Sequence, residues 1–116
     1  MKAEARKLLF DARQAATAIQ AFCEGHSLES YQQSVLLRSA VERQFEIIGE
    51  ALSQLSKVDA TLAARIPEAA QIISFRNQLI HGYATISNKL VWSVVLDELP
   101  GFIEVMEGLL AEGETP

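Results

Sequence analysis

The sequence predicts an all-α protein, an antiparallel bundle of four to five helices, and three observations carry that expectation. Apolar residues recur at three- and four-residue spacing through most of the chain, which is the period of a half-buried helix. No segment shows sustained apolar/polar alternation bounded by turn residues, as a half-buried strand would. The connections between periodic stretches are short, which favours antiparallel neighbours.

The first helix is expected from about Ala3 to Cys23, with Leu8, Ala12, Ala15, Ile19 and Phe22 on one stripe. Gly25 suits a helix stop, because glycine enters the left-handed region without a Cβ penalty. Cys23 reads as core and His26 as an exposed loop residue. A long second helix follows from about Leu28 to Lys57, with Leu37, Val41, Phe45, Ile48, Leu52 and Leu55 as its main stripe. A second stripe, Leu36, Ala40, Ile47 and Ala51, predicts cover from two directions, by the bundle itself or by a partner chain. Asp59 is placed to cap a short turn through Arg65, and Pro67 suits the first position of the next helix, where its missing N–H would be unpaired anyway. That helix should end near His81 with Gly82 as stop. Ser87 caps the last stretch, whose stripe is Val91, Val94, Leu99, Phe102, Val105 and Leu109; Pro100 should kink or split it by removing a backbone hydrogen bond.

The 116 residues suit one helical domain over 1–116, which on folding buries roughly two-thirds of the surface its unfolded chain exposes. The single cysteine cannot bridge internally. With no signal-like N-terminus and no long apolar run, a cytoplasmic protein without membrane contact is expected. The net charge of −5 argues against broad affinity for nucleic acid. That charge is uneven. From Asp97 onward there are six acids and no Lys or Arg, so residues 1–96 hold ten bases against nine acids. A local basic site is compatible with that balance.

The segment Arg76–Tyr83, RNQLIHGY, crowds Arg, Asn, His and Tyr into an otherwise apolar helix. Asn77 and His81 are four apart and share a face, so the amide can bond one imidazole nitrogen and select its tautomer. Arg76 and His81 are five apart, about 140° of rotation, so one straight helix does not aim both at a small target. Either the last turn unwinds at Gly82 or a second chain completes the site. Chemically the pair suits phosphodiester work: a guanidinium binds phosphate oxygens as a fork, and an imidazole transfers protons near neutral pH. Cleavage of RNA by its own 2′-hydroxyl needs one group to accept that proton and another to protonate the leaving oxygen. One histidine supplies half; two copies of His81 across a twofold axis would supply both, with two Arg76 side chains stabilising charge at phosphorus. The plainer alternative is a helix C-terminus, where Arg and His interact with the dipole and Tyr packs at the following loop.

RNQLIHGY matches the Arg-x4-His-x-Tyr motif of the HepT-like group of HEPN proteins, ribonuclease toxins whose antitoxin is a minimal nucleotidyltransferase. AVERQFEIIGEALSQLSK (Ala40–Lys57) resembles that family's long second helix, and LVWSVVLDELPGFIEVME (Leu90–Glu107) its C-terminal one. The resemblance implies a HEPN-type homodimer cutting RNA without a metal or other cofactor. It implies Arg76 and His81 as the catalytic pair, Asn77 as a supporting neighbour, and Tyr83 as the hydroxyl to which the antitoxin adds AMP. A bulky anion on Tyr83 would exclude RNA by volume and like charge. The runner-up is a non-catalytic helical subunit that binds nucleotide or substrate beside a nucleotidyltransferase.

Other candidates are weaker. Glu46 and Glu50 are one turn apart, but no Glu-x-x-His partner helix exists to complete a di-metal site, so they read as solvated or interface glutamates; in a cleft they could raise the pKa of His81. Trp92 reads as packing rather than a base-stacking platform. Phosphate loops, zinc spacings and a Ser-His-Asp arrangement are absent from the sequence.

Overall fold

The computed structural model describes residues 1–67, 69–81 and 86–113, and they contain helices and no strand. In chain order these are α1 (Ala3–Cys23), α2 (Leu28–Gln33), α3 (Val35–Val58), α4 (Ala60–Ala63), α5 (Ala69–His81), α6 (Asn88–Ser93), a π turn (Val94–Glu98) and α7 (Leu99–Gly113). Gly82 and Tyr83 lie outside the described residues.

The core is built on α1, which packs on α3 and α7. Lys2 Nζ donates to the Val58 carbonyl (3.2 Å) and Arg6 Nη1 to that of Leu110 (3.1 Å), so the start of α1 meets the ends of both neighbours and runs antiparallel to each. Cover from two sides widens the buried face of α1 beyond a single stripe. Ala5, Leu9, Ala12, Ala15, Ala16, Ile19 and Cys23 are buried, whereas Leu8 is only partly so and Phe22 is 39% exposed. Gly25 follows the helix at φ 80°, in the left-handed region.

The helix expected over Leu28–Lys57 is two helices. Ser34 leaves helical geometry (φ −107°, ψ 103°), its N–H donates to the Tyr31 carbonyl, and its side chain accepts from Leu37 N at 3.0 Å. Serine competes for backbone hydrogen bonds in this way and is favoured at N-caps over helix interiors. A second reason is tertiary: Tyr31 is fully buried and stacks on Trp92, ring centroids 5.3 Å apart, so α2 is held by α6 and turns away from the line of α3. Leu36 is consequently 83% exposed, and of the second stripe only Ala51 is buried.

Asp59 Oδ1 accepts from Leu62 N and Ser87 Oγ from Leu90 N, the caps expected for α4 and α6. Helix α5 is assigned from Ala69, two residues beyond Pro67. Pro100 does not split the last helix. The ladder widens just before it, where Leu99 N–H donates to the Val94 carbonyl, an i→i−5 bond that carries the helix past a residue with no N–H of its own. Trp92 is buried before the widened turn, as its packing role predicts; the register shift then brings Val95, Ile103, Met106 and Leu110 into the core, while Val94, Phe102 and Val105 are only partly buried.

The Tyr31 hydroxyl is buried with no hydrogen-bond partner among the described residues, and burial, with Glu42 and Cys23 nearby, pushes its pKa upward. An unpaired buried hydroxyl costs free energy rather than supplying it. Tyr31→Phe is therefore expected to leave stability unchanged or raise it by up to about 1 kcal/mol in urea denaturation; a comparable loss would show that the hydroxyl is bonded in solution.

Candidate functional site

Helix α5 carries Arg76, Asn77 and His81 and packs mainly on α3. Three features seat it. Phe75 meets Phe45 edge-on, centroids 5.2 Å apart at 82°, a favoured aromatic geometry. Leu79 is its one buried residue. The third is a close approach at Gly49: a Cβ there would lie 2.2 Å from Cβ and 2.5 Å from Cγ of Arg76.

The Arg76 guanidinium is held at its tip. Nη2 donates to Glu50 Oε2 at 2.5 Å and Nη1 to Asn77 Oδ1 at 2.8 Å. Nε is buried with no acceptor among the described residues. The guanidinium borders an open cleft of about 470 Å³ between α1, α3 and α5. Leu8, Ile47 and Ile80 give its walls apolar area, and charge of both signs surrounds them: Lys7 pairs with Asp11 (2.8 Å) and Arg43 with Glu46 (3.6 Å).

His81, the last residue of α5, is exposed and does not line this cleft. Arg76 and His81 therefore diverge within the chain, as their five-residue spacing requires. The Asn77–His81 hydrogen bond expected from sequence is not formed; the Asn77 oxygen serves Arg76 instead.

Gly49 and Glu50 are the residues that sequence reasoning missed or undervalued. A signal for Gly49 existed: glycine inside a long helix costs about 1 kcal/mol relative to alanine, so its place in IIGEAL calls for a packing reason. Glu50 is solvated as expected, its side chain 48% exposed, and it is also the ion-pair partner of Arg76. The Gln54 amide (3.0 Å) and then Arg76 hold its carboxyl below the ordinary glutamate value. Since folding lowers that pKa, the interaction contributes stability above the ordinary range and loses it as pH falls through the depressed value. In an NMR pH titration Glu50 is expected below an exposed glutamate, with Arg76→Ala moving it only partway back, because Gln54 remains.

Fold and motif together define a helical-bundle protein bearing an Arg-x4-His pair on one helix beside a charged cleft. The chain belongs to the HepT-like ribonuclease family: the family model described as "Ribonuclease HepT-like" matches residues 12–109. It is similar to a protein of Caldanaerobacter subterraneus subsp. tengcongensis named "Putative RNase TTE0752", with 32% identity over 77 residues, covering 66% of this chain and 68% of the relative. Two proteins of Methanocaldococcus jannaschii are similar as well. "Putative RNase MJ0127" is 25% identical across 97% of this chain and 93% of its own length, and "Putative RNase MJ1380" is 27% identical across 85% and 90%. No solved structure matches the chain. Among the described residues no helix is long and apolar enough to cross a membrane.

Proposed function

We infer that this chain is an endoribonuclease that cuts RNA without a metal ion, the toxin of a pair whose antitoxin is a minimal nucleotidyltransferase. The observation that carries the reading is Arg76. Its guanidinium is fixed at the edge of an open cleft, on the helix that also ends in His81, in a chain of the HepT-like ribonuclease family.

In this reading two chains form a twofold dimer and bring both α5 helices to one groove. Ile80, 38% exposed beside Arg76 on the cleft wall, is available for that contact. The His81 imidazole of one protomer takes the proton of a ribose 2′-hydroxyl. The freed oxygen attacks phosphorus, and the bond to the 5′ oxygen breaks as the second imidazole delivers a proton to it. Both Arg76 side chains stabilise the added negative charge, and such preorganised electrostatic stabilisation is usually the largest single term in catalysis. To bind phosphate, each guanidinium must exchange part of its pairing with Glu50. AMP placed on Tyr83 by the antitoxin would close the groove to RNA.

Incubating the purified protein with RNA in EDTA tests this. Fragments with 2′,3′-cyclic phosphate and 5′-hydroxyl ends are expected, and intact mass after co-expression with the nucleotidyltransferase should rise by one AMP, but not for Tyr83→Phe. The Arg76–Glu50 pair also favours a second reading, since an engaged guanidinium suits a subunit that binds nucleotide without cutting. Tight nucleotide binding with no RNA cleavage would support that subunit and remove the nuclease.

A further inference from the structure

We propose that Gly49 is a positioning residue: by having no side chain, it lets α3 and α5 approach closely enough to fix where Arg76 presents its guanidinium. This rests on the nuclease reading for its consequence in catalysis, while the contact itself is testable without it.

Three features of the contact point the same way. First, the atoms that a Cβ on Gly49 would strike, at 2.2 and 2.5 Å, are Cβ and Cγ of Arg76, the two nearest the backbone. A change of rotamer moves Cγ but leaves Cβ where the backbone holds it, so a methyl at position 49 must lift α5 itself. Second, the next residue along α3 holds the other end of the same side chain, through the Glu50–Nη2 bond. Consecutive residues of α3 thus fix Arg76 at its stem and at its head, with Nε buried between them. Third, α5 packs mainly on α3, whereas α1 joins α3 and α7 independently of it. The strain of an added methyl would therefore fall on the motif helix and displace Arg76 and His81 together. Gly101 and Gly108 give the contrast, as a Cβ on either would meet nothing within 4 Å.

Reacting groups misplaced by about 1 Å commonly lose about a hundredfold in rate. Gly49→Ala is accordingly expected to lower kcat for RNA cleavage by roughly 10- to 100-fold, with a smaller change in KM, while the helical circular dichroism stays near wild type. The experiment compares Gly49→Ala with Gly108→Ala, and places Gly49→Ala in both the wild-type and Arg76→Gly backgrounds. Cleavage, Tm and the Arg76 Nε–H resonance are followed. The expected result is a moved Arg76 resonance and a lowered Tm for Gly49→Ala, neither for Gly108→Ala, and no further loss of Tm when Arg76→Gly has already removed the opposing Cβ.

An unmoved resonance with cleavage within twofold of wild type would overturn the proposal. So would an equal loss of Tm in both backgrounds, which would make Gly49 answer to something other than Arg76. If Gly49→Ala does not fold, the doubly substituted protein decides: folding supports the seat, failure to fold refutes it. Should the wild-type protein cut no RNA, the nuclease reading fails, and the resonance and Tm comparisons still judge the contact.

Discussion

His81→Ala is expected to lower RNA cleavage by about 10²- to 10⁴-fold, the usual range for removing a general acid or base, while the melt stays close to wild type. Stability should be spared because His81 is exposed at the last residue of α5, where truncation costs at most about 1 kcal/mol through the helix dipole. The divergence of Arg76 and His81 within a single chain sharpens the test. If one imidazole accepts the 2′ proton and its symmetry mate protonates the leaving oxygen, a mixed dimer with one wild-type and one substituted chain loses nearly as much as the fully substituted dimer. If each chain works alone, the mixed dimer keeps half the wild-type rate. Initial rates on dimers purified with two different affinity tags separate these outcomes. A His81→Ala protein that cuts normally would return the motif to its plainer reading, a helix end whose Arg and His only face the dipole.

What the sequence made legible divides along a physical line. Features set within a few residues were readable: the span Ala3–Cys23, the caps at Asp59 and Ser87, and the glycine turn at Gly25 each depend on local backbone chemistry. The break at Ser34 was not, because the apolar period runs through it without interruption. Its position follows from Tyr31 finding Trp92, a partner 61 residues away along the chain. Pro100 announced an irregularity, yet the π turn before it let the helix continue, and α7 beyond it packs on α1. The same division runs through the site. Arg76, Asn77 and His81 were visible as a motif, and their angular separation followed from helix geometry alone. The contacts of Gly49 and Glu50 with Arg76 were hidden, since they depend on where α3 and α5 cross.

Leu55→Ala is expected to cost about 2–5 kcal/mol, the range for truncating a fully buried leucine, against a total stability of roughly 5–15 kcal/mol for an ordinary domain. Leu55 is 0% exposed on α3, the helix that joins α1 on one side and α5 on another, so its truncation opens a cavity inside the core. It stands six residues from Gly49, roughly 9 Å along the helix, and its carbonyl accepts from Asp59 N at 2.8 Å, away from the cleft. Cleavage per folded molecule should therefore hold while the urea midpoint falls. A several-fold loss of rate at full folding would mean that the site is coupled to the core beyond the Gly49 contact. Leu36→Ala supplies the comparison on the same helix. At 83% exposure it should change stability by less than about 0.5 kcal/mol as an open surface residue. A loss near that of Leu55, growing with protein concentration, would instead show that a second copy covers the start of α3 in solution.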